Sequence, residues 1–498
     1  MSKKPQDYFL GIDLGASSGR AILGCIRQGK LELEEIHRFK NGPVMMSGIN
    51  YWDFPGLWNN IIEGLRIAAD RTGGRLAGIG VDTWGVDFGL IGKDGQLLGN
   101  PVCHRDALAE RGLKRALDKF TPAEFYKIIG HAPAHVSTMA QLTEMAATPL
   151  RMRLENAEAV LLMPDLIRFL LCGDMRVEHT ALGSTQLADI STAKWSDEIL
   201  KAFDIPKNIM PPIVQTGEEA GTLRPELAKI SGLNKVPVYA APGHDTAAAG
   251  AAVPYTDEES AFCIIGTWSI LGTHVQAPVN NQAAADKGFL NEFGFGSILF
   301  VHNLLGLYLF ENLYRQLNRK EKVSYAQMVK MAKEARPFQY FINPQSPRFM
   351  MTDDPAAEVR GFLKEAGQKA PRDMGALIRA ILESMVWNWK MELQNTSELT
   401  GRDFKRICLV GGGIRNTLLC QMVADATGLE VLAGPAEATV IGNILAQMNG
   451  AGLVSQDQSL QEFVRQSIHL KRYKPREAGG WEKNYRNFLN FFTQTRNI

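Results

Sequence analysis

What most constrains the fold of this chain is a pattern that occurs twice. The apolar run Tyr8–Asp13 enters a turn of small and hydroxyl residues, Leu14–Gly19, and Ala21–Ile26 resumes as a second strand. In the second half the apolar run Ala261–Ile265 enters Gly266-Thr267-Trp268-Ser269, and a strand resumes at Ile270. Each unit leads to an amphipathic helix and then another strand. In the first half Leu57, Ile61, Leu65 and Ala69 make one helical face before the strand Leu76–Val81. In the second half Ile378, Ile381, Leu382, Met385, Trp389 and Leu393 mark a long helix before the strand Ile407–Val410. Asp53 and Pro55 stand where a helix should start. The segment Lys30–Phe39, in which Leu31 and Leu33 alternate with charge, adds a half-buried strand. The opening of the chain therefore reads β-β-β-α-β.

A further correspondence supports duplication. Val238–Ala241 runs through Pro242-Gly243-His244 to Asp245, with Gly250 beyond it. Val431–Ala433 runs through Gly434-Pro435-Ala436 to Glu437, with Gly442 beyond it. Both read as a strand, a tight turn, an acidic residue at a helix start and a glycine inside the helix. The 498 residues allow about three domains of ordinary size or two large α/β halves. Duplication favours two related domains facing one another. The boundary is expected near Val253–Ser260, where Pro254, Thr256, Asp257, Glu258 and Glu259 form a polar connector.

Bulk properties exclude several classes. With 54 Lys and Arg against 53 Asp and Glu, the net charge of +1 supplies no field to hold nucleic acid or an anionic membrane. No stretch approaches the roughly 18 uncharged apolar residues of a membrane span. The apolar run after Lys3 and Lys4 is broken by Asp13, too soon for an export signal. A cytoplasmic protein is expected by elimination. Six scattered cysteines without a C-x-x-C spacing read as buried small hydrophobes in a reducing compartment. Arg71–Gly74 and Ser455–Ile498 read as a loop and peripheral helical material without chemistry.

The turns carry the chemistry. In Gly11–Arg20 small residues let backbone N–H groups approach a phosphate, Arg20 can neutralise its charge, and Asp13 is placed to hold a magnesium ion. Gly266–Ser269 is a second such turn, so the pair reads as two jaws on one phosphate chain. Gly411-Gly412-Gly413, directly after a strand, leaves bare backbone for a flat base or ribose. Asp245 can be a general base that takes the proton of an attacking hydroxyl, or a plain helix cap. His244 is a competing base, or a donor to a substrate oxygen. Val81–Phe88 joins Trp84 and Gly85 to Asp82 and Asp87, the mixture of indole and carboxylate that binds sugar hydroxyls. Arg105-Asp106 and Asn303–Gly306 are weaker candidates of the same kind.

Taken together, Asp13-x-Gly15-x-x-x-x-Arg20, Gly243-His244-Asp245, Gly266-Thr267-x-Ser269 and Gly411-Gly412-Gly413 resemble the FGGY carbohydrate kinases, of the superfamily with the actin-like, Hsp70-like ATPase fold. Within that family the resemblance is to the branch acting on L-rhamnulose. It rests on Gly15–Arg20, Ile36–Phe39 with Asn41-Gly42, Tyr51-Trp52-Asp53, Gly80–Phe88, Leu162–Asp165 and Asn303–Leu307, in the family's order to about Asn443. The resemblance implies two actin-like, ribonuclease H-like α/β domains flanking a cleft: residues 1–253 for the sugar and the base, 254–498 for the nucleotide. It implies ATP-dependent phosphorylation of L-rhamnulose at its 1-hydroxyl in L-rhamnose degradation, with Mg2+. Asp245 is then the proton acceptor, and Gly85, His244, Thr246 and Asn303 contact the sugar. Ala16, Ser17, Ser18, Gly19, Arg20, Thr267 and Gly412 meet ATP.

Two departures stand out. Glu311 occupies a place where relatives often carry Gln, and a carboxylate there would repel ATP, so it is left outside the expected site. Leu162–Phe169 lacks the Lys and Trp of the family's broad signature. The rival readings are a kinase for another ketose or polyol (fuculose, xylulose or glycerol), an actin-like or Hsp70-like ATPase switch, and a non-catalytic sugar-binding regulator. No oligomeric state is implied.

Overall fold

The computed structural model describes residues 7–350, 352–454 and 459–495, without the side chains of residues 320 and 321. The chain forms two compact units. One comprises Met1–Pro254, His274–Phe300 and Ala438–Ile468; the other comprises Tyr255–Thr273, Val301–Glu437 and His469–Ile498.

The first unit is built on β1 (Phe9–Leu14), β2 (Ser18–Arg27), β3 (Lys30–Lys40), β4 (Gly78–Thr83), β5 (Glu219–Thr222) and β6 (Pro237–Tyr239), in the order β5-β6-β4-β1-β2-β3. The strands β6, β4 and β1 are parallel; β1, β2 and β3 form the antiparallel meander expected from the turns. Helix α1 (Phe54–Thr72) starts as predicted, with Asp53 accepting from the Gly56 N–H and Pro55 in the first turn. Gly73, left-handed at φ 63°, ends it. Its face of Leu57, Ile61, Leu65 and Ala69 is buried in one core cluster with residues of β1, β2 and β4. Each large side chain so buried contributes about 1.5–3 kcal/mol. A short hairpin, Pro43–Met46 with Ile49–Trp52, stands between β3 and α1; the sequence reading did not contain it. Helix α2 (Met163–Cys172) and the short α3 (Asp245–Ala251) complete the part used below.

The second unit repeats the plan. Its strands are β7 (Ser260–Ile265), β8 (Trp268–Val275), β10 (Ile298–Leu305), β11 (Arg406–Val410), β12 (Glu430–Ala433) and β13 (Lys471–Tyr473). Strand β9 (Leu290–Phe293) lies in the segment that returns to the first unit, and turns into β10 where Gly294 N–H meets Ser297 O at 2.8 Å. The order β13-β12-β11-β7-β8-β10 copies β5-β6-β4-β1-β2-β3 strand for strand. Directions match as well: β7 is antiparallel to β8 and parallel to β11, β11 is parallel to β12, and β13 is antiparallel to β12. The duplication read from the turns is thus a duplication of whole sheets. Helices α4 (Tyr308–Glu321), α5 (Met374–Thr400), α6 (Thr417–Thr427) and, at the far end, α8 (Ala478–Gln494) surround this sheet. Trp387, Trp389, Phe362, Trp481 and Phe488 fill its core. The tail therefore supplies a strand and a core-filling helix as well as peripheral material.

Between β12 and β13 the chain forms α7 (Ala438–Gly450), which belongs to the first unit and packs on α3. A Cβ on Gly442 would overlap the Ala248 carbonyl, so glycine is what lets the two helices approach. Five of the six cysteines are buried and Cys172 is half-buried, all as free thiols. Among the described residues no helix is long and apolar enough to cross a membrane.

Candidate active site

Three carboxylates gather at the carboxyl ends of the three adjacent parallel strands of the first unit. Asp13 ends β1 opposite Asp82 of β4 in the register. Asp245 follows β6, whose exit is tied to β4 by Thr83 N–H donating to Gly243 O at 2.9 Å. Strand ends in a parallel α/β sheet are where ligands bind, because the following turns leave backbone and short polar side chains free.

The three differ in surroundings. Asp13 faces Arg20 across the β1–β2 ladder and forms an ion pair with it. Asp82 is fully buried; one oxygen accepts from Asn443 Nδ2 at 2.6 Å and the other has no partner among the described residues. Burial, then the charge of Asp13, holds its pKa well above the ordinary carboxylate range, with Asp245 adding to the effect. Asp245 keeps 42% of its side chain exposed. It is the first residue of α3, and the cap position falls to His244, whose side chain makes no capping bond. The helix-cap alternative for Asp245 is therefore not realised. Its Oδ1 accepts from Thr246 Oγ1 at 3.4 Å. Surrounding protein and then Asp13 raise its pKa, opposed mainly by His244.

A buried carboxylate shapes the loop before Asp245. One oxygen of Glu178 accepts from Gly243 N–H at 2.8 Å, Thr180 N–H at 3.0 Å and Thr180 Oγ1 at 2.6 Å. The other accepts from Thr216 Oγ1. Asp165, in α2, holds the Glu178 N–H at 2.9 Å and Arg168 Nη1 at 2.7 Å. His244 Nε2 lies 3.5 Å from Asp245 Oδ1. Burial alone would lower the pKa of His244, but Glu292 foremost, with Asp245 and Glu178, pushes it up to about 9.

Gly85 stands against this histidine. Its φ is 74°, and a Cβ would lie 2.9 Å from His244 Cδ2. Val86 is also left-handed at φ 59°, rare for a β-branched residue. It is held by N–H donation to Ser184 Oγ at 3.2 Å and by Thr138 Oγ1 on its carbonyl at 2.7 Å. The pinned strain turns the chain between Trp84 and Asp87. Asp87 is fully enclosed: Trp52 Nε1, Trp84 Nε1 and His104 Nδ1 converge on one oxygen at 2.7, 2.9 and 2.7 Å, and Gln141 Nε2 donates to the other at 2.9 Å. The expectation of a sugar hydroxyl on Asp87 meets a carboxylate already saturated. Trp84 remains half-buried, its ring 4.2 Å from that of Trp52.

The β1–β2 tip closes through Gly15 N–H to Ser18 O at 2.9 Å, and Asn41 clamps it through Gly15 O and Ser17 O. Ala16 and Ser17 keep backbone N–H groups without a partner among the described residues. Gly19, behind the tip, is buried with Phe39 packed against its Cα.

In the second unit the β7–β8 tip has the same form. Gly266 N–H donates to Trp268 O at 2.9 Å, and Gly306, Leu307 and Tyr308 donate to the carbonyls of Thr267 and Gly266. A Cβ on Gly306 would lie 2.5 Å from Ser269 Oγ, so the loop after β10 lies against the turn. Thr267 Oγ1 is 3.5 Å from Glu311 Oε2, whose pKa burial raises. Gly412 is exposed, and an added Cβ there would meet nothing within 4 Å. Asn303 is exposed on β10. The first unit thus brings Asp13, Ala16–Arg20, Trp84, Gly85, Asp87, His244, Asp245 and Thr246 to the ends of its sheet; Thr267, Gly412 and Asn303 belong to the second. Sequence reasoning missed Glu178, Glu292 and Asn443, which sit far along the chain from what they hold. Asp82 was visible inside its motif but unmarked as a member of the cluster.

Comparison with known proteins agrees with this layout. Residues 8–251 match the N-terminal domain model of the FGGY family of carbohydrate kinases, and residues 261–451 match its C-terminal domain model. A rhamnulokinase of Bacteroides thetaiotaomicron is 37% identical over 483 residues, 97% of this chain and 99% of the relative. A rhamnulokinase of Bacillus subtilis is 31% identical over 94% of this chain and 96% of its own length. Among solved structures, a xylulose kinase from Lactobacillus acidophilus superposes with a TM-score of 0.81 at 16% identity, covering 99% of each chain. A glycerol kinase of Plasmodium falciparum with ADP superposes with a TM-score of 0.79 at 13% identity, covering 99% of each chain. With doubled sheets, paired small-residue tips and both domain models in register, this chain belongs to the FGGY family of carbohydrate kinases.

Proposed function

We propose that this chain transfers the terminal phosphoryl group of ATP to the 1-hydroxyl of L-rhamnulose, in the cytoplasm, as a step of L-rhamnose breakdown. The observation that carries the chemistry is Asp245, an accessible carboxylate that opens a helix without capping it. The choice of sugar is supported by the full-length likeness to rhamnulokinases.

A sugar hydroxyl attacks phosphorus only as its proton leaves. Asp245 orients that hydroxyl and accepts the proton. Because its pKa stands above the ordinary carboxylate value, the base is lost to protonation at a higher pH than usual, and turnover should fall on that acid limb. His244, charged at neutral pH, donates to a sugar oxygen, with Gly85, Thr246 and Asn303 as further sugar contacts. Trp84 offers an apolar face, and Asp87 acts through the indoles and His104 that it orients.

The tip Ala16–Gly19, Arg20 and Thr267 bind the phosphates, and Gly412 receives the base or ribose. The roles of residues 1–253 for sugar and base and 254–498 for nucleotide are part of the same proposal. A divalent cation fits beside Asp13 and Asp82, since burial and then the charge of Asp13 raise Asp82, which keeps an oxygen without a partner among the described residues. Asp13 would hold Mg2+, which when bound neutralises the triphosphate.

A coupled assay of ADP release over a panel of ketoses and polyols tests the substrate. The expected result is highest kcat/KM for L-rhamnulose and little ATP hydrolysis without sugar. Equal rates with xylulose or glycerol would reassign the substrate, and sugar-independent hydrolysis would point to an ATPase switch.

A further inference from the structure

A carboxylate behind His244 has no role in the reading above. Glu292, on β9, is buried at 6% exposure. Its Oε2 lies 3.7 Å from His244 Nδ1. Both atoms are sealed from solvent, and neither has a hydrogen-bond partner at ordinary range among the described residues. The two atoms face one another across that gap. Space for the carboxylate comes from Gly183, where a Cβ would stand 2.5 Å from Oε2. On the far side of the ring, Nε2 faces Asp245 Oδ1 at 3.5 Å. Glu292, His244 and Asp245 therefore form a line ending at the proposed base.

We propose that Glu292 is a positioning residue for phosphoryl transfer: it holds Nδ1 of His244, so that the opposite ring nitrogen stays protonated toward the sugar oxygens beside Asp245. A buried carboxylate on one imidazole nitrogen fixes both ring orientation and the location of its protons. The proposal rests on the reading of Asp245 and His244 as sugar-site residues and adds to it the group that holds them.

The charged groups that act on the ring come from separate elements. Glu292 comes from β9, Asp245 from α3, and Glu178 from the turn before residues 179–181. His131 stands 3.9 Å from the other oxygen of Glu292 and is hydrogen-bonded to Asn291 O at 2.7 Å. Three acids against His131 favour a cationic His244. Removing the charge of Glu292 lets His244 lose its proton at lower pH, so the alkaline limb of activity moves down.

The test combines Glu292→Gln, Glu292→Asp, His244→Gln and the double variant His244→Gln/Glu292→Gln. For Glu292→Gln the ketose KM should rise about tenfold or more, with the kcat/KM profile narrowed by about one pH unit at its alkaline side. The ATP KM should stay level, Glu292→Asp should restore the profile, and the double variant should be no worse than His244→Gln. An unchanged profile in Glu292→Gln, or a multiplied loss in the double variant, overturns the proposal. If Glu292→Gln does not fold, the imidazole resonance of His244 in the unaltered protein decides. It should remain protonated through about pH 8, and titration near the ordinary value of about 6.5 would refute the pairing. Failure of the unaltered protein to phosphorylate any ketose would instead count against the proposed function, which the resonance does not test.

Discussion

Asp245 and its neighbours show how a fold can leave one side chain without a structural task. A carboxylate at a helix start usually satisfies an orphan N–H. Here the cap position falls to the residue before it, a histidine that makes no capping bond, and Asp245 stays partly exposed within reach of the charge of Asp13. Replacing Asp245 by Asn keeps its size and removes the proposed proton acceptor. Turnover should fall by about 10²-fold or more, with sugar binding by calorimetry nearly unchanged. Near-normal turnover would remove Asp245 as the base.

At the scale of elements, two joints set this geometry. The first is the contact of α7 with α3, where Gly442 leaves no room for a methyl group against Ala248 O. Gly442→Ala should cost about 1–3 kcal/mol of stability, read from denaturant unfolding. A neutral substitution would show that the helices part easily. The second joint is the relay from α2: Asp165 holds Glu178, which holds Gly243. Burial lifts Asp165 to about 7, against the Arg168 ion pair that lowers it. A carboxyl raised in the folded state stabilises while protonated, fully below its unfolded value of about 4, and that contribution is lost as pH climbs toward 7. The thermal midpoint of Asp165→Asn should therefore gain on that of the unaltered protein between about pH 5 and pH 8. A difference that stays constant with pH would contradict the assignment.

Over the whole molecule, the same six-strand order recurs in both units, and each copy ends its first hairpin in a small-residue tip. If both tips bind one phosphate chain, ATP with Mg2+ should slow hydrogen exchange at Ala16, Ser17 and Thr267 together. Protection of one tip alone would refute that pairing. The sequence by itself determined the repeat, the two tips, the start of α1 and the conspicuous Gly243-His244-Asp245. All are short-range signals, because turn chemistry and helical periodicity are written within a few neighbouring residues. Only the tertiary structure decided that Asp13, Asp82 and Asp245 share one edge, that Asp87 is saturated, that Glu178 holds the loop at Gly243, and that Glu292 stands behind His244. Those facts depend on strand order and register, which set contacts between residues far apart in sequence and leave no periodic trace in it.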